Sequence, residues 1–162
     1  GVTYGNSTFV TVGDNGTILT SSDGTSWDNR TSDVSSTLYG VTYGNSTFVT
    51  VGDNGTILTS SDGTTWTSRT SNTSKNLYGV IYGNSTFVTM GGSGTILTSS
   101  DGTSWTSRTS GASDTLWGVI YGKSAFVVVG TLGTVLTSSD LTTWTSRTSN
   151  TSNNLLEVTY KE

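Results

Sequence analysis

The sequence predicts an all-β protein, a β-propeller of four-stranded antiparallel blades. Three observations predict it: a 39-residue period without insertions, four short β-type segments in each period, and turn residues at fixed places between them. Val2, Val41, Val80, Val119 and Val158 stand at equal spacing. Four units therefore run 1–39, 40–78, 79–117 and 118–156, and residues 157–162 open a fifth. Residues 1–25 and 40–64 are identical, which points to recent duplication or deliberate construction; the third and fourth units have drifted further.

The second unit illustrates each element. Leu38-Tyr39-Gly40-Val41-Thr42-Tyr43 is rich in β-branched and aromatic residues and reads as the first strand. Gly44-Asn45-Ser46 is a turn, and Thr47 to Val51 the second strand. Asp53-Asn54-Gly55 is a tight hairpin signal, because Asn and Gly tolerate the positive φ that such turns demand. Thr56 to Ser60 is the third strand, Ser61-Asp62-Gly63 a turn, and Thr65 to Thr70 the fourth strand. A polar loop, Ser71 to Asn76, leads to the next unit. No segment has helical period, and Ser, Thr and Gly are poor helix interiors. A β-solenoid is the rival architecture, but its coils are usually shorter and would not carry a hairpin turn in every unit. Phe48, Val49 and Val51 with Ile57 and Leu58 leave neither sheet face polar, as expected where each blade packs against a neighbour on both sides.

Composition narrows the chemistry. The 162 residues suit a single domain, and they include no Cys, Pro or His. Disulfides, Cys-based zinc sites and the commonest general base and metal ligand are thereby removed, so no cofactor and no metal site is expected. A net charge of −4 with only 7 Lys and Arg argues against nucleic acid as a partner. No apolar run approaches the roughly 18 residues of a membrane span, and Gly1 to Gly5 lack signal-peptide character, so a soluble chain of undetermined compartment is expected.

One motif recurs in every unit: Ser-Ser-Asp-Gly-Thr-Thr-Trp at 60–66, with counterparts at 21–27, 99–105 and 138–144. It resembles the Asp-box of sialidase-type and other bacterial propeller repeats, including those of photosystem II assembly factors. It is one residue shorter than the usual form between Asp and Trp, and the last copy has Leu141 in place of Gly. The resemblance implies that Asp23, Asp62, Asp101 and Asp140 hold turns by accepting backbone N–H groups, and that Trp27, Trp66, Trp105 and Trp144 fill the blade core. It does not carry sialidase activity across, since those enzymes resemble one another in an arginine cluster with Tyr and Glu. Here the only Glu residues are Glu157 and Glu162. With no activating groups for a nucleophile, no enzymatic activity is expected.

Other candidates are weaker. Arg30, Arg69, Arg108 and Arg147 hold one equivalent position and are expected on the outer rim, solvated or paired with a carboxylate such as Asp28 or the motif Asp. Asp14-Asn15-Gly16 and Asp53-Asn54-Gly55 lack the carboxylate density of a calcium loop. The units differ most in the loops 33–37, 72–76, 111–115 and 150–154. Beside them Tyr39, Tyr78 and Trp117, with Asn76 and Asp114, are candidates for stacking on and hydrogen-bonding a glycan, although aromatics at the start of a strand also serve packing. Asn-x-Ser/Thr triplets such as Asn45-Ser46-Thr47 follow from composition.

Gly1-Val2-Thr3-Tyr4 opens partway along a first strand, whereas Leu155 to Tyr160 repeats that strand whole. Leu155, Leu156, Val158 and Tyr160 are therefore expected to form a closing strand given to the first blade of a second copy, making an eight-bladed, head-to-tail homodimer. A four-bladed monomer, another oligomer or a fragment of a longer chain are the alternatives. Apolar residues of the fourth unit, Ile120, Ala125, Val128, Leu132, Leu141 and Leu156, suit either an interface or repacking of the core. The function expected is a non-catalytic, self-assembling scaffold, with a carbohydrate-binding module as the alternative.

Overall fold

The computed structural model describes residues 1–161, so Glu162 lies outside the described residues. It contains four antiparallel sheets of four strands, each a meander in chain order. The first holds β1 (Val2–Gly5), β2 (Thr8–Val12), β3 (Ile18–Ser21) and β4 (Asp28–Arg30). The second holds β5 (Leu38–Gly44), β6 (Thr47–Gly52), β7 (Ile57–Ser60) and β8 (Thr67–Arg69). The third holds β9 (Leu77–Gly83), β10 (Thr86–Gly91), β11 (Ile96–Ser99) and β12 (Thr106–Arg108). The fourth holds β13 (Leu116–Gly122), β14 (Ala125–Gly130), β15 (Val135–Ser138) and β16 (Thr145–Ser146).

The hairpins form where their turn residues dictate. Asn45 and Ser46 (φ 46° and 56°) connect the paired residues Gly44 and Thr47. Asn54 and Gly55 (φ 54° and 70°) do the same after β6, and the Thr56 N–H donates to the Asp53 carbonyl at 3.0 Å. Both central residues of each turn are left-handed, the geometry that matches the twist of the flanking strands. In the fourth blade this geometry is forced on Leu132, at φ 52°.

One expectation requires correction. The fourth strand is shorter than its β-type residues suggest, because Thr65 and Trp66 stay in the turn, where Trp66 Nε1 donates to the Gly63 carbonyl at 3.0 Å. Leu155 to Tyr160 forms no β-ladder, since no second strand lies beside it to pair with. It still follows the path of a next blade's first strand. The Leu155 N–H donates to the Gly130 carbonyl as Leu38 does to Gly13, and Tyr160 packs on Gly122 as Tyr43 packs on Gly5.

Each of the two inner sheets buries both faces against its neighbours. One, here the leading face, carries Phe48, Leu58 and Trp66 and meets Val10, Val12 and Ile18 of the preceding blade. The other, the trailing face, carries Val49, Val51 and Ile57 and meets Phe87, Leu97 and Trp105 of the following blade. The third junction repeats the arrangement with Val88, Met90 and Ile96 against Phe126 and Leu136. The first strands also pack in series, β1 on β5, β5 on β9 and β9 on β13. Contact there is so close that a Cβ at Gly44 would fall within the Tyr82 ring. Of the fourth-unit apolar residues, Val128 and Leu141 join the third junction, Ile120 and Ala125 are half-buried, and Leu132 and Leu156 are exposed.

Gly44→Ala is therefore expected to destabilise the fold by about 1–3 kcal/mol in urea unfolding, the usual cost of overpacking. Gly92→Ala, where a Cβ would meet nothing nearer than 4.0 Å and the other units carry Asp14, Asp53 and Thr131, should leave the midpoint unchanged. Equal effects of the two would contradict the packing described.

Candidate functional site

The repeated Ser-Ser-Asp turns are self-contained. Ser60 Oγ accepts the Gly63 N–H at 2.8 Å and donates to Asp62 Oδ1 at 2.9 Å. That same oxygen accepts the N–H groups of Thr64 and Thr65 at 2.8 and 2.9 Å. Asp23, Asp101 and Asp140 make equivalent bonds. All four carboxyls are held below the usual carboxylate range, chiefly by the N–H three residues on, which favours the charged form. Oδ1 of each is engaged by three donors within the turn.

The tryptophans of these turns are not equivalent, and the two buried ones, Trp66 and Trp105, sit in the clusters between blades. Trp66 and Trp105 are each 8% exposed, whereas Trp27 is 39% exposed and does not fill a core. Its leading face has no preceding blade to meet. Trp144 is half-buried, and its Nε1 finds no acceptor where Leu141 replaces the glycine of the other turns.

The arginines pair within their own sheets. Nε of Arg30, Arg69, Arg108 and Arg147 donates to Thr20, Thr59, Thr98 and Thr137 at 2.7–2.8 Å. Arg30 also meets Asp28 at 3.0 Å. Pairing with the turn Asp residues does not occur among the described residues. No group of three His, Cys, Asp or Glu among the described residues is placed to hold a metal ion.

Tyr39, Tyr78 and Trp117 are brought together by a feature the sequence does not announce. Leu38 pairs with Gly52 but Gly40 with Val51, so Tyr39 is skipped in the ladder as a bulge, and the fourth blade repeats this at Trp117. A bulge re-aims its side chain. The rings stack across blades, with centroids 5.3 Å apart for Tyr39 and Tyr78 and 4.4 Å for Tyr78 and Trp117. Tyr39 donates its hydroxyl to Asp53 Oδ1 at 2.9 Å, which raises its pKa. Trp117 Nε1 is buried without an acceptor. Asn76 and Asp114 do not converge on the rings as free groups. Asn76 Oδ1 accepts the Asn54 N–H at 2.9 Å, and Asp114 accepts the Thr134 hydroxyl at 3.2 Å. Beneath the stack the first strands line a trough of about 490 Å³, walled by Val2, Val41, Val80, Val119 and Val158.

The two end faces leave apolar side chains partly uncovered. Phe9 and Leu19 are half-buried, although the identical sequence in the second unit buries Phe48 and Leu58 completely. Val127 and Val135 on the trailing face of the fourth blade are likewise half-buried, where Val49 and Ile57 are fully enclosed.

No family model matches the sequence, and no curated protein does. Solved structures do. A YCF48 bound to a D1 peptide aligns at 22% identity and TM-score 0.68, over 87% of this chain and 50% of that one. YCF48 from Cyanidioschyzon merolae aligns at 18% and 0.72, over 98% and 58%. The computationally designed Ika8 protein aligns at 14% and 0.81, over 99% and 52%. The fold is a β-propeller. At these identities the likeness is one of fold alone, and the propeller chain spans about half the length of the solved structures it matches.

Asp62→Ala should cost about 1 kcal/mol in urea unfolding, the scale of a lost capping bond. A carboxyl with a lowered folded pKa contributes fully above its unfolded value and loses that contribution as pH falls through the folded one. Stability should therefore be level from about pH 7 to pH 5 and fall below about pH 4, near the unfolded Asp value of about 3.9. Unchanged stability down to about pH 2 would contradict this account.

Proposed function

We propose that the protein is a non-catalytic repeat scaffold that assembles head to tail, two chains forming one eight-bladed ring. One observation carries the reading: the two uncovered end faces are the halves of a junction the chain already makes three times internally. The leading face of the first blade holds Phe9, Leu19 and Trp27, whose counterparts meet a trailing face in every other blade. The trailing face of the fourth blade holds Val127, Val129 and Val135, counterparts of residues that meet a leading face. Complementarity between the ends is thus supported by apolar side chains at equivalent positions of the repeat. A two-fold ring satisfies both ends with two identical junctions. Near-identical repeats beside a designed neighbour support an amplified or engineered origin. The resemblance of the turns to an Asp-box fits a structural device, because Ser Oγ and Asp Oδ1 bond within the turn.

A second reading, capture of a glycan, is favoured by the bulged aromatic stack. Against it, the rings cover one another's faces, and Asn76 and Asp114 brace turns. Binding on a glycan array that is lost in Trp117→Ala would support it, and silence across the array would remove it.

Light scattering of the purified chain should give twice the 16.9 kDa chain mass. Trp27→Glu, at a side chain that the lone chain leaves exposed, should weaken association by about tenfold or more, the scale of an interface tryptophan. A single-chain mass for the unaltered protein at all concentrations would overturn the proposal.

A further inference from the structure

Glu157-Val158-Thr159-Tyr160-Lys161 repeats Gly1-Val2-Thr3-Tyr4-Gly5 with two changes, and both replace glycine. In a closed ring these two segments claim one place, the innermost strand of the blade that follows β13. Resting on the head-to-tail reading above, we infer that the partner's β1 takes this place and that Glu157 to Lys161 is an occupant expelled on assembly, not the strand that closes the ring.

Steric fit decides between them. A Cβ at Gly1 would stand 2.7 Å from the Tyr39 carbonyl oxygen and 3.2 Å from the Gly40 Cα, both backbone atoms that cannot yield. A Cβ at Gly5 would collide with Cγ and Cδ1 of Tyr43. Glu157 and Lys161, set in those positions in the ring, would drive side chains into β5 of the partner subunit, and Glu157 would bring a carboxylate against a carbonyl. In the lone chain Glu157 and Lys161 are exposed.

Existing bonds favour the same outcome. β1 is already paired with β2 over four residues, and Gly1 exchanges two bonds with Val12 at 2.9 and 3.2 Å. Tyr4 stacks on Phe9 at 4.6 Å and 50°, as Tyr43 does on Phe48. A donated strand would have to break this ladder, whereas removing Glu157 to Lys161 breaks none. Leu155 and Leu156 are not in competition. They hold the places of Leu38 and Tyr39, and in the 39-residue register Gly1 of the partner subunit follows them. The segment beyond Leu156 therefore acts as a cover for the inner edge of the fourth blade until a second copy arrives.

Two measurements test this. A spin label on K161C in the full chain should become more mobile as concentration is raised through the dimerisation range; a label that becomes less mobile would show a donated strand and overturn the inference. A chain ending at Leu156 should dimerise more tightly, by about tenfold or more, a change of about 1.4 kcal/mol. Equal or weaker dimerisation of that chain would also overturn it. Either adverse result, with a dimeric mass, leaves the head-to-tail ring standing, whereas a single-chain mass at every concentration removes both.

Discussion

The constraint on which everything else depends is that each sheet is apolar on both faces. A single four-stranded sheet of this kind cannot shield Phe48, Leu58 and Trp66 on one side and Val49, Val51 and Ile57 on the other without a neighbour at each. Packing between sheets is therefore what makes the 39-residue unit stable, and it explains why Gly recurs along the first strands, where backbones approach most closely. Strand pairing contributes within the blade. The outermost strands, only two or three residues long, offer little edge for unwanted pairing.

Identical sequence in unequal surroundings makes the point most directly. Residues 1–25 and 40–64 do not differ, yet β2 alternates between half-buried and buried positions while β6 is buried almost throughout. Position in the array, and not local sequence, sets burial. The same logic locates the surfaces open to partners, since the end faces are unpartnered by place and carry the side chains of an interior junction.

Much of this was legible in the sequence because it is local: the period, the Asn-Gly turns and the Ser-Asp turns are encoded by residues that need special φ or supply acceptors within three positions. What was not legible depends on distant atoms. Nothing near Tyr39 marks it as a bulge, a feature defined only by the mismatch between Leu38–Gly52 and Gly40–Val51. Trp27 reads like Trp66, and only the absence of a preceding sheet exposes it. The engagement of Asn76 and Asp114 is likewise invisible before the loop and the neighbouring hairpin meet. Glu157 and Lys161 were visible as departures from glycine, but their consequence needed the positions of Tyr39 and Tyr43.

The architecture thus ties stability to one repeated contact between sheets, while Ser Oγ and Asp Oδ1 of the turns and the arginine Nε atoms bond within each blade. End-on electron microscopy of the purified chain tests this most directly by counting blades. The account predicts a closed ring of eight radial sheets with two-fold symmetry, built from two copies of a four-sheet chain. An isolated arc, or a closed ring of four, would contradict it.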